Sequence, residues 1–398
     1  MEIEFTEEQS ILQDSVERML KSNYDFDTRC GIAAGEEGWS RKHWQKFVDL
    51  GLHAAPFSEE SGGLGGGPIA TMIIMEAFGR HLVVEPYFET VVLAGGLIET
   101  LGSEAQRRDL LAGLIWGRTI WTPALLEARS GQHLNAVSTT AERQADGYVL
   151  RGAKAVVVAA PWADSLIVSA RTSGNWRDRQ GVSLFVVDSH VPNLHLKGFK
   201  TLDGRRAAEI KLEGVRVPAG NLLGPEGAAV AALERCRQWA IAAQCAEAIG
   251  AIRELNKATL EYTKTRKQFG VPLSSFQVLQ HRMVDMFVAQ EEAIAITYAL
   301  NAALAHGGDD IAKLASAAKA KVGEAGRYVG EQAVQLHGGM GMSNELKVGH
   351  YLKRLVAINI QYGDPAFHIL RCAEDVFGSA SSIQEATATA ADLSANAA

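Results

Sequence analysis

The sequence predicts a mainly α protein with a central β-domain, arranged as three consecutive parts. Apolar residues recur at helical spacing over residues 1–118, and short β-branched runs separated by Gly, Asp and Asn follow over 119–225. Long helical stretches with few Gly or Pro fill 226–378. The final stretch, 379–398, is rich in Ala, Ser and Thr, and we expect a disordered tail there. We therefore predict an N-terminal helical domain, a small antiparallel β-barrel or sandwich, and a C-terminal four-helix bundle.

The composition indicates a globular protein and argues against several functions. The chain has 398 residues, of which 47% are hydrophobic and 21% charged, so it can bury a large core. Its net charge of -7 does not favour nucleic acid as a partner, because an acidic surface repels phosphates. Its apolar runs are too short to cross a bilayer, and its N-terminus has no signal-peptide core. We expect a cytoplasmic protein without a membrane span.

The cysteines give no sign of a metal site. Cys30, Cys236, Cys245 and Cys372 form no CxxC pair and have no His at metal-ligand spacing. We expect reduced thiols and no bound metal.

The N-terminal part begins with a capping box, Thr6 followed by Gln9. A second helix is predicted after Ser40, with Trp44 and Phe47 on its inner face. The glycine-rich stretch 61–68 follows no clear strand, so a plain loop is the better interpretation than a phosphate-binding loop. Further helices are predicted over 69–78, 88–101 and 105–115.

Short β-branched runs predict the strands of the middle part, with a hairpin turn at Asp146-Gly147. The predicted strands are 136–142, 148–150, 154–159, 165–170, 182–187 and 208–212.

The most informative stretch is the corner between two long predicted helices. Helices end at Gly and restart after Pro, so Gly270-Val271-Pro272 marks a tight connection. Arg266 and Lys267 precede it, with Phe269 in the turn and Gln277 just after it. A guanidinium offers paired donors that suit a pyrophosphate, although basic residues at a helix C-terminus also offset the helix dipole.

A second motif is the run Gln335-Leu336-His337-Gly338-Gly339. Glycines at a helix end allow backbone N–H groups to approach a ligand, and they also serve simply as helix caps. The run alone does not decide between these two interpretations.

Together the order Arg-Lys-x-Phe-Gly, then Phe-Gln, then Gln-x-x-Gly-Gly resembles the acyl-CoA dehydrogenase family, as does the helical, β, helical layout. The resemblance implies an FAD-dependent dehydrogenation of an acyl-CoA, with an electron-transferring flavoprotein as the acceptor. In the family these motifs contact a flavin held mainly by a neighbouring subunit. The matching cofactor-binding positions are Arg266, Gln268, Phe269, Leu273, Gln277, Gln335, Gly338 and Gly339.

The family's own flavin cradle matches poorly. Its loop Thr-Glu-Pro-Gly-x-Gly-Ser-Asp falls on residues 126–133, which agree only at Glu127 and Gly131. Its next strand has Trp-Ile-Thr, where this chain has Val156-Val157-Val158. Aliphatic side chains cannot replace the hydrogen bonds of that Thr, so we doubt that the β-domain of this chain binds flavin.

The family's catalytic base is also absent from its usual positions. The reaction needs a carboxylate to remove the α-proton. Tyr362 stands where most members have Glu, and the alternative position in the first bundle helix falls on Ala240 and Ile241. Asp364 is a candidate displaced base, although an Asp before Pro is also ordinary turn or cap chemistry. Glu247 is a weaker candidate, about two helical turns from Ala240.

An intact half-site beside an eroded one resembles family members built from two homologous chains. The Tyr362-Gly363-Asp364 run and the segment Thr201–Glu209 are most similar to the small subunit of pimeloyl-CoA dehydrogenase. This resemblance implies a heterotetramer acting on acyl-CoA substrates, in degradation of steroid side chains or other lipids. Two alternatives stay open: a self-sufficient homotetramer with Asp364 as base, and a non-catalytic structural homologue.

Overall fold

A computed structural model describes residues 5–308 and 310–377 of the chain. Within these ranges the predicted order of helices, sheet and long-helix bundle is confirmed. The predicted tail, 379–398, lies outside the described residues. Each helix in the described ranges is too short or too polar to serve as a bilayer span.

The N-terminal helices pack around an apolar core that continues into the β-domain. The capping box is confirmed: Gln9 N–H donates to the Thr6 hydroxyl at 3.3 Å, and Thr6 N–H donates to the Gln9 side chain at 3.1 Å. Trp44 and Phe47 are buried, as predicted. The helices are α1 (Glu7–Asn23), α2 (Phe26–Ala34), α3 (Arg41–Asp49), α4 (Gly67–His81), α5 (Gly96–Leu101), α6 (Glu104–Gln106) and α7 (Ala112–Ile115).

Two stretches predicted as ordinary α-helix are partly wound as π-helix, Phe88–Gly95 before α5 and Arg107–Leu111 between α6 and α7. In the first, the buried Thr90 hydroxyl donates to the carbonyl of Trp121 at 2.9 Å. This bond ties the helix to the first strand. Helical periodicity in the sequence does not distinguish π from α winding over so few residues.

The middle part is an eight-stranded sheet in the order β6-β7-β3-β2-β4-β5-β8, with β1 beside β4. The strands are β1 (Trp121–Ala124), β2 (Thr140–Gln144), β3 (Gly147–Val158), β4 (Ser165–Arg171), β5 (Val182–Asp188), β6 (Leu194–Lys200), β7 (Arg206–Pro218) and β8 (Leu222–Leu223). The prediction of purely antiparallel pairing is wrong, because β1 runs parallel to β4. The chain reaches β4 only after the β2–β3 hairpin, and this long connection permits the parallel arrangement.

The C-terminal part is a bundle of long helices around a second apolar core. Its elements are α8 (Val230–Thr265), β9 (Lys267–Gln268), β10 (Val271–Pro272), α9 (Gln277–His306), α10 (Ile311–His337), α11 (Lys347–Ile360) and α12 (Pro365–Phe377). Glycines let α8 lie against α4: a Cβ on Gly79 would fall 1.9 Å from the Glu247 carbonyl oxygen, and one on Gly250 would fall 2.0 Å from that of Glu76. The bundle therefore packs directly on the N-terminal domain.

Candidate cofactor-binding site

The predicted corner closes with a two-stranded hairpin, β9 and β10, directly after α8. Phe269 and Gly270 form its turn, with φ of 54° and 82°. Such angles are ordinary for glycine and uncommon for an aromatic residue. Phe269 is 93% exposed, and its ring lies edge-on to that of Phe276, with centroids 6.3 Å apart.

The two predicted motifs line one cavity of about 640 Å³. The predicted residues in its walls are Arg266, Gln268, Leu273, Gln335, Gly338 and Gly339. The other two predicted residues lie beside the cavity: Phe269 at the hairpin turn, and Gln277 at the exposed first position of α9. The structure thus brings together residues that lie about 70 positions apart in the sequence.

A stacked aromatic pair joins the two motifs. The rings of Tyr262 and His337 lie 4.3 Å apart at 24°, and the Tyr262 hydroxyl donates to the His337 carbonyl at 3.3 Å. Burial lowers the pKa of His337, so the ring is neutral at physiological pH. Tyr262 and Arg282, which no sequence motif singled out, also line the cavity. The available signal for Tyr262 was its place one helical turn before Arg266.

The polar groups of the cavity are open for a ligand. The Arg266 guanidinium is exposed and makes no ion pair or hydrogen bond with any described residue, and the same holds for the Gln335 amide. Gly338 has φ 60° and ψ -143°, a conformation that only glycine adopts readily. A cation and a glycine turn at the end of α10 can therefore meet an anionic group.

Glu127 fixes the loop that follows β1. Glu127 pairs with buried Lys154 at 2.9 Å and accepts from the backbone N–H groups of Ser138 at 2.8 Å and Thr139 at 2.9 Å. Val156 on the neighbouring strand β3 lacks such an anchor among the described residues. Val156 is 59% exposed with φ 51°, at a bulge where β3 loses register with β7.

The same loop packs onto the bundle. Gln132 donates through Nε2 to the Ile360 carbonyl at 3.4 Å, and Arg237 donates to the Gln132 carbonyl at 3.1 Å. The rings of His133 and Phe367 meet edge to face at 6.1 Å. These contacts join the loop to α8, α11 and α12 across the space between β-domain and bundle.

The connection between α11 and α12 holds Tyr362 in a left-handed conformation, with φ 60°. Its ring packs against both apolar cores and lies edge-on to Phe88, with centroids 5.9 Å apart. Burial raises the pKa of Tyr362 well above its usual value. Lys319 donates to the carbonyls of Asn359 at 3.0 Å and Gly363 at 2.7 Å, which fixes this connection in place.

Comparison with known proteins identifies the family. Residues 6–118, 123–215 and 227–377 match the N-terminal, middle and C-terminal domains of acyl-CoA dehydrogenase. The chain belongs to the acyl-CoA dehydrogenase family. It is 31% identical over 369 residues to the probable acyl-CoA dehydrogenase YngJ of Bacillus subtilis, across 91% of this chain and 96% of that protein.

Solved structures agree with this assignment. The Tcur3481-Tcur3483 steroid ACAD variant is 29% identical, with a TM-score of 0.83 over 92% of this chain and 97% of that one. PigA with FAD and proline is 25% identical, with a TM-score of 0.88 over 95% of this chain and 100% of that one. The acyl-CoA dehydrogenase fold is confirmed, and FAD, the predicted cofactor, is confirmed for this family.

FAD could contact this acyl-CoA dehydrogenase chain at the corner cavity and at the β-domain, and the residues present suit it better at the corner. At the corner, the unpaired Arg266 and the turn at Gly338 suit a pyrophosphate, so these residues would hold the dinucleotide there. At the β-domain, the aliphatic Val156, Val157 and Val158 offer no side-chain hydrogen bond to a flavin ring. These three side chains would therefore give a cofactor at that second place no hydrogen bond.

The positions predicted for the family's base contain no acid. Tyr362 occupies one, and Ala240 and Ile241, both buried, occupy the other. The Asp364 carboxylate accepts the Phe367 N–H at 2.8 Å and caps α12, with the residue exposed. Arg354 holds buried Glu247 through two hydrogen bonds of 2.6 Å. The proposal of Asp364 as base stays a prediction, and its capping bond explains its presence without catalysis.

Proposed function

We propose that this chain is the helper subunit of a two-chain, FAD-dependent acyl-CoA dehydrogenase. A homologous partner would supply the base and the flavin cradle, and this chain would supply the dinucleotide half-site at Arg266. One observation carries the proposal: an open cavity with an unpaired guanidinium coexists with Tyr362, packed against the core, at the position predicted for the base.

The residues around Tyr362 argue against proton abstraction by this chain. A base must be ionised near neutral pH and must reach the substrate. The raised pKa of Tyr362 keeps the phenol protonated, and its ring packs against Phe88. The buried Glu247 carboxylate already accepts two hydrogen bonds from Arg354. Neither Tyr362 nor Glu247 can therefore act as a free base in the described structure.

The corner residues favour binding of a cofactor that is held by a neighbouring chain. Arg266, Phe269 and Gln335 all face outward without a partner from their own chain's polar groups. When bound, FAD accepts the hydride that leaves the substrate. Arg266 would bind the pyrophosphate of that cofactor, and the exposed Phe269 ring would cover part of it from the solvent.

A paired enzyme also has a precedent among the structures that this chain resembles. The Tcur3481-Tcur3483 steroid ACAD carries the names of two chains. We propose the same kind of pairing here, with an acyl-CoA thioester as substrate and an electron-transferring flavoprotein as electron acceptor.

The proposal is tested by reconstitution. The chain is expressed alone and together with any homologous chain that is encoded beside it, and acyl-CoA-dependent reduction of an acceptor dye is measured. We expect turnover only for the pair. Turnover by this chain alone, at a rate equal to that of the pair, would contradict the helper role.

A further inference from the structure

A second cleft opens between the N-terminal domain and the bundle. It has a volume of about 500 Å³, and none of its described lining residues belongs to the cavity at Arg266. Its walls come from the start of α4, the π-wound helix before α5, the first third of α8 and the end of α9. Most of its lining is apolar, including Phe57, Val91, Val92, Trp239, Ala243 and Leu304.

The cleft is preformed. Glu99 accepts from the Ser58 N–H at 2.9 Å and from the Ser58 hydroxyl at 2.8 Å, which holds the loop at its mouth. A Cβ on Gly96 would lie 3.2 Å from a ring carbon of Trp239, so glycine allows the indole to lie flat against the helix. Apolar clefts of this size with a few placed polar groups are typical of small-molecule sites.

Two side chains in the cleft each have one polar atom without a partner among the described residues. Asn301 is only 1% exposed, and its amide nitrogen donates to the Thr297 carbonyl at 2.9 Å. Its carboxamide oxygen accepts no hydrogen bond from any described residue, and Trp239 Nε1 likewise donates to none. Both residues line the cleft, so these two atoms are available there to a ligand. A hydroxyl group can donate to Asn301 and accept from Trp239.

The charge of the cleft excludes anionic ligands. None of its described lining residues is Lys, Arg or His, whereas Glu59 and Glu99 place carboxylates at its rim. A carboxylate or phosphate would lose its hydration here without gaining a cation. The cleft is therefore unsuited to acyl-CoA or to a free fatty acid.

We propose that this cleft binds an uncharged, elongated apolar molecule that carries a hydroxyl group. The hydroxyl lies between Asn301 and Trp239, and the apolar body packs on Val91, Val92 and Leu304. This site is independent of the flavin role, since it shares no described residue with the corner cavity.

Calorimetric titration of the full-length chain with decan-1-ol and with decanoate tests the proposal, because these probes differ only in the end group. We expect decan-1-ol to bind at least tenfold more tightly than decanoate. Asn301→Leu should weaken decan-1-ol binding about tenfold, the equivalent of one net hydrogen bond. Leu304→Trp should fill the cleft and remove the binding.

The matched control is Leu260→Trp, since Leu260 is 42% exposed in a different cleft between α8 and α9. This variant should bind decan-1-ol as the unaltered chain does. Circular dichroism checks that each variant folds, and a folded Asn301→Leu that binds decan-1-ol as tightly as the unaltered chain would overturn the placement of the hydroxyl. The proposal is overturned if decan-1-ol gives no binding heat, if decanoate binds equally well, or if Leu304→Trp leaves binding unchanged.

Discussion

Arg354 and Glu247 face each other through two hydrogen bonds, each 2.6 Å long, and both side chains are buried. The same guanidinium donates to Asp203 at 2.8 Å, and Arg205 pairs with Glu89 at 3.1 Å. These five residues come from the N-terminal domain, the β-domain and two bundle helices, so the cluster joins all three parts of the chain. Burial alone would raise the pKa of Asp203, but Arg354 and Arg205 lower it to about 2.

Removing the central cation should destabilise the protein strongly. Arg354→Leu leaves Glu247 and Asp203 buried without their partner, a change that typically costs about 3–5 kcal/mol. In a chain of 398 residues this corresponds to a fall of about 4–6 °C in the thermal midpoint. The control is Arg327→Leu, in an exposed pair with Glu331 at 2.8 Å, where we expect a shift below about 1 °C. Equal shifts in calorimetry would refute a stabilising role for the cluster.

Glu85 should make the stability of the protein fall with rising pH. Its carboxyl accepts from the Tyr24 hydroxyl at 2.6 Å, and burial raises its pKa to about 7. The folded state thus holds a proton that the unfolded state releases near pH 4.5, so stability declines between these values and stays low above them. Glu85→Gln should raise the thermal midpoint at pH 8 by about 3 °C and leave it unchanged at pH 4.

The matched control for Glu85 is Glu142→Gln, because Glu142 is exposed on β2. This variant should show no pH-dependent difference from the unaltered chain. A Glu85→Gln variant whose midpoint moves equally at both pH values would contradict titration of Glu85 as the cause.

Asp364 should contribute to stability and not to turnover. Asn caps helices about as well as Asp, so Asp364→Asn should keep both the fold and the activity of the two-chain enzyme. Asp364→Ala should cost about 1 kcal/mol through loss of the bond to the Phe367 N–H. Activity is measured with saturating acyl-CoA at equal flavin content. Loss of activity in a well-folded Asp364→Asn enzyme would identify Asp364 as the base and favour the self-sufficient alternative.

Arg266 should determine how firmly the two-chain enzyme holds FAD. A charge-assisted bidentate contact is worth about 1.5–3 kcal/mol, so Arg266→Ala should weaken FAD binding roughly 10- to 100-fold. Arg266→Lys should recover only part of this affinity, because an ammonium cannot form the paired contact. The neighbouring Lys267→Ala serves as the control and should leave FAD retention on a desalting column unchanged. Full retention by Arg266→Ala would remove the corner from the flavin site.

The corner cavity could be predicted because each of its motifs is a short contiguous run. Arg266 and Gln335 come from separate runs, and the family resemblance supplied their pairing. The stacking of Tyr262 on His337 could not be predicted, since neither residue type signals the other across 75 positions. Such contacts are decided by how α8 and α10 pack.

The buried charged cluster could not be predicted from the sequence either. Glu89, Arg205 and Arg354 lie far apart in the chain, and each alone resembles a surface charge. The segment Thr201–Glu209 resembles a sequence found in one group of the family, and its Asp203 and Arg205 are also members of the cluster. Parallel pairing of β1 with β4 also depends on tertiary contacts that local strand propensity does not contain.

Flavin stoichiometry measured with native mass tests the helper-subunit account most directly. The chain is purified alone and again after co-expression with any homologous chain encoded beside it, and FAD per chain is determined for each species. We predict a colourless chain alone and a yellow heterotetramer with about half a flavin per chain, since each flavin needs one cradle and one half-site. A yellow homotetramer with one FAD per chain would contradict the account and establish a self-sufficient dehydrogenase.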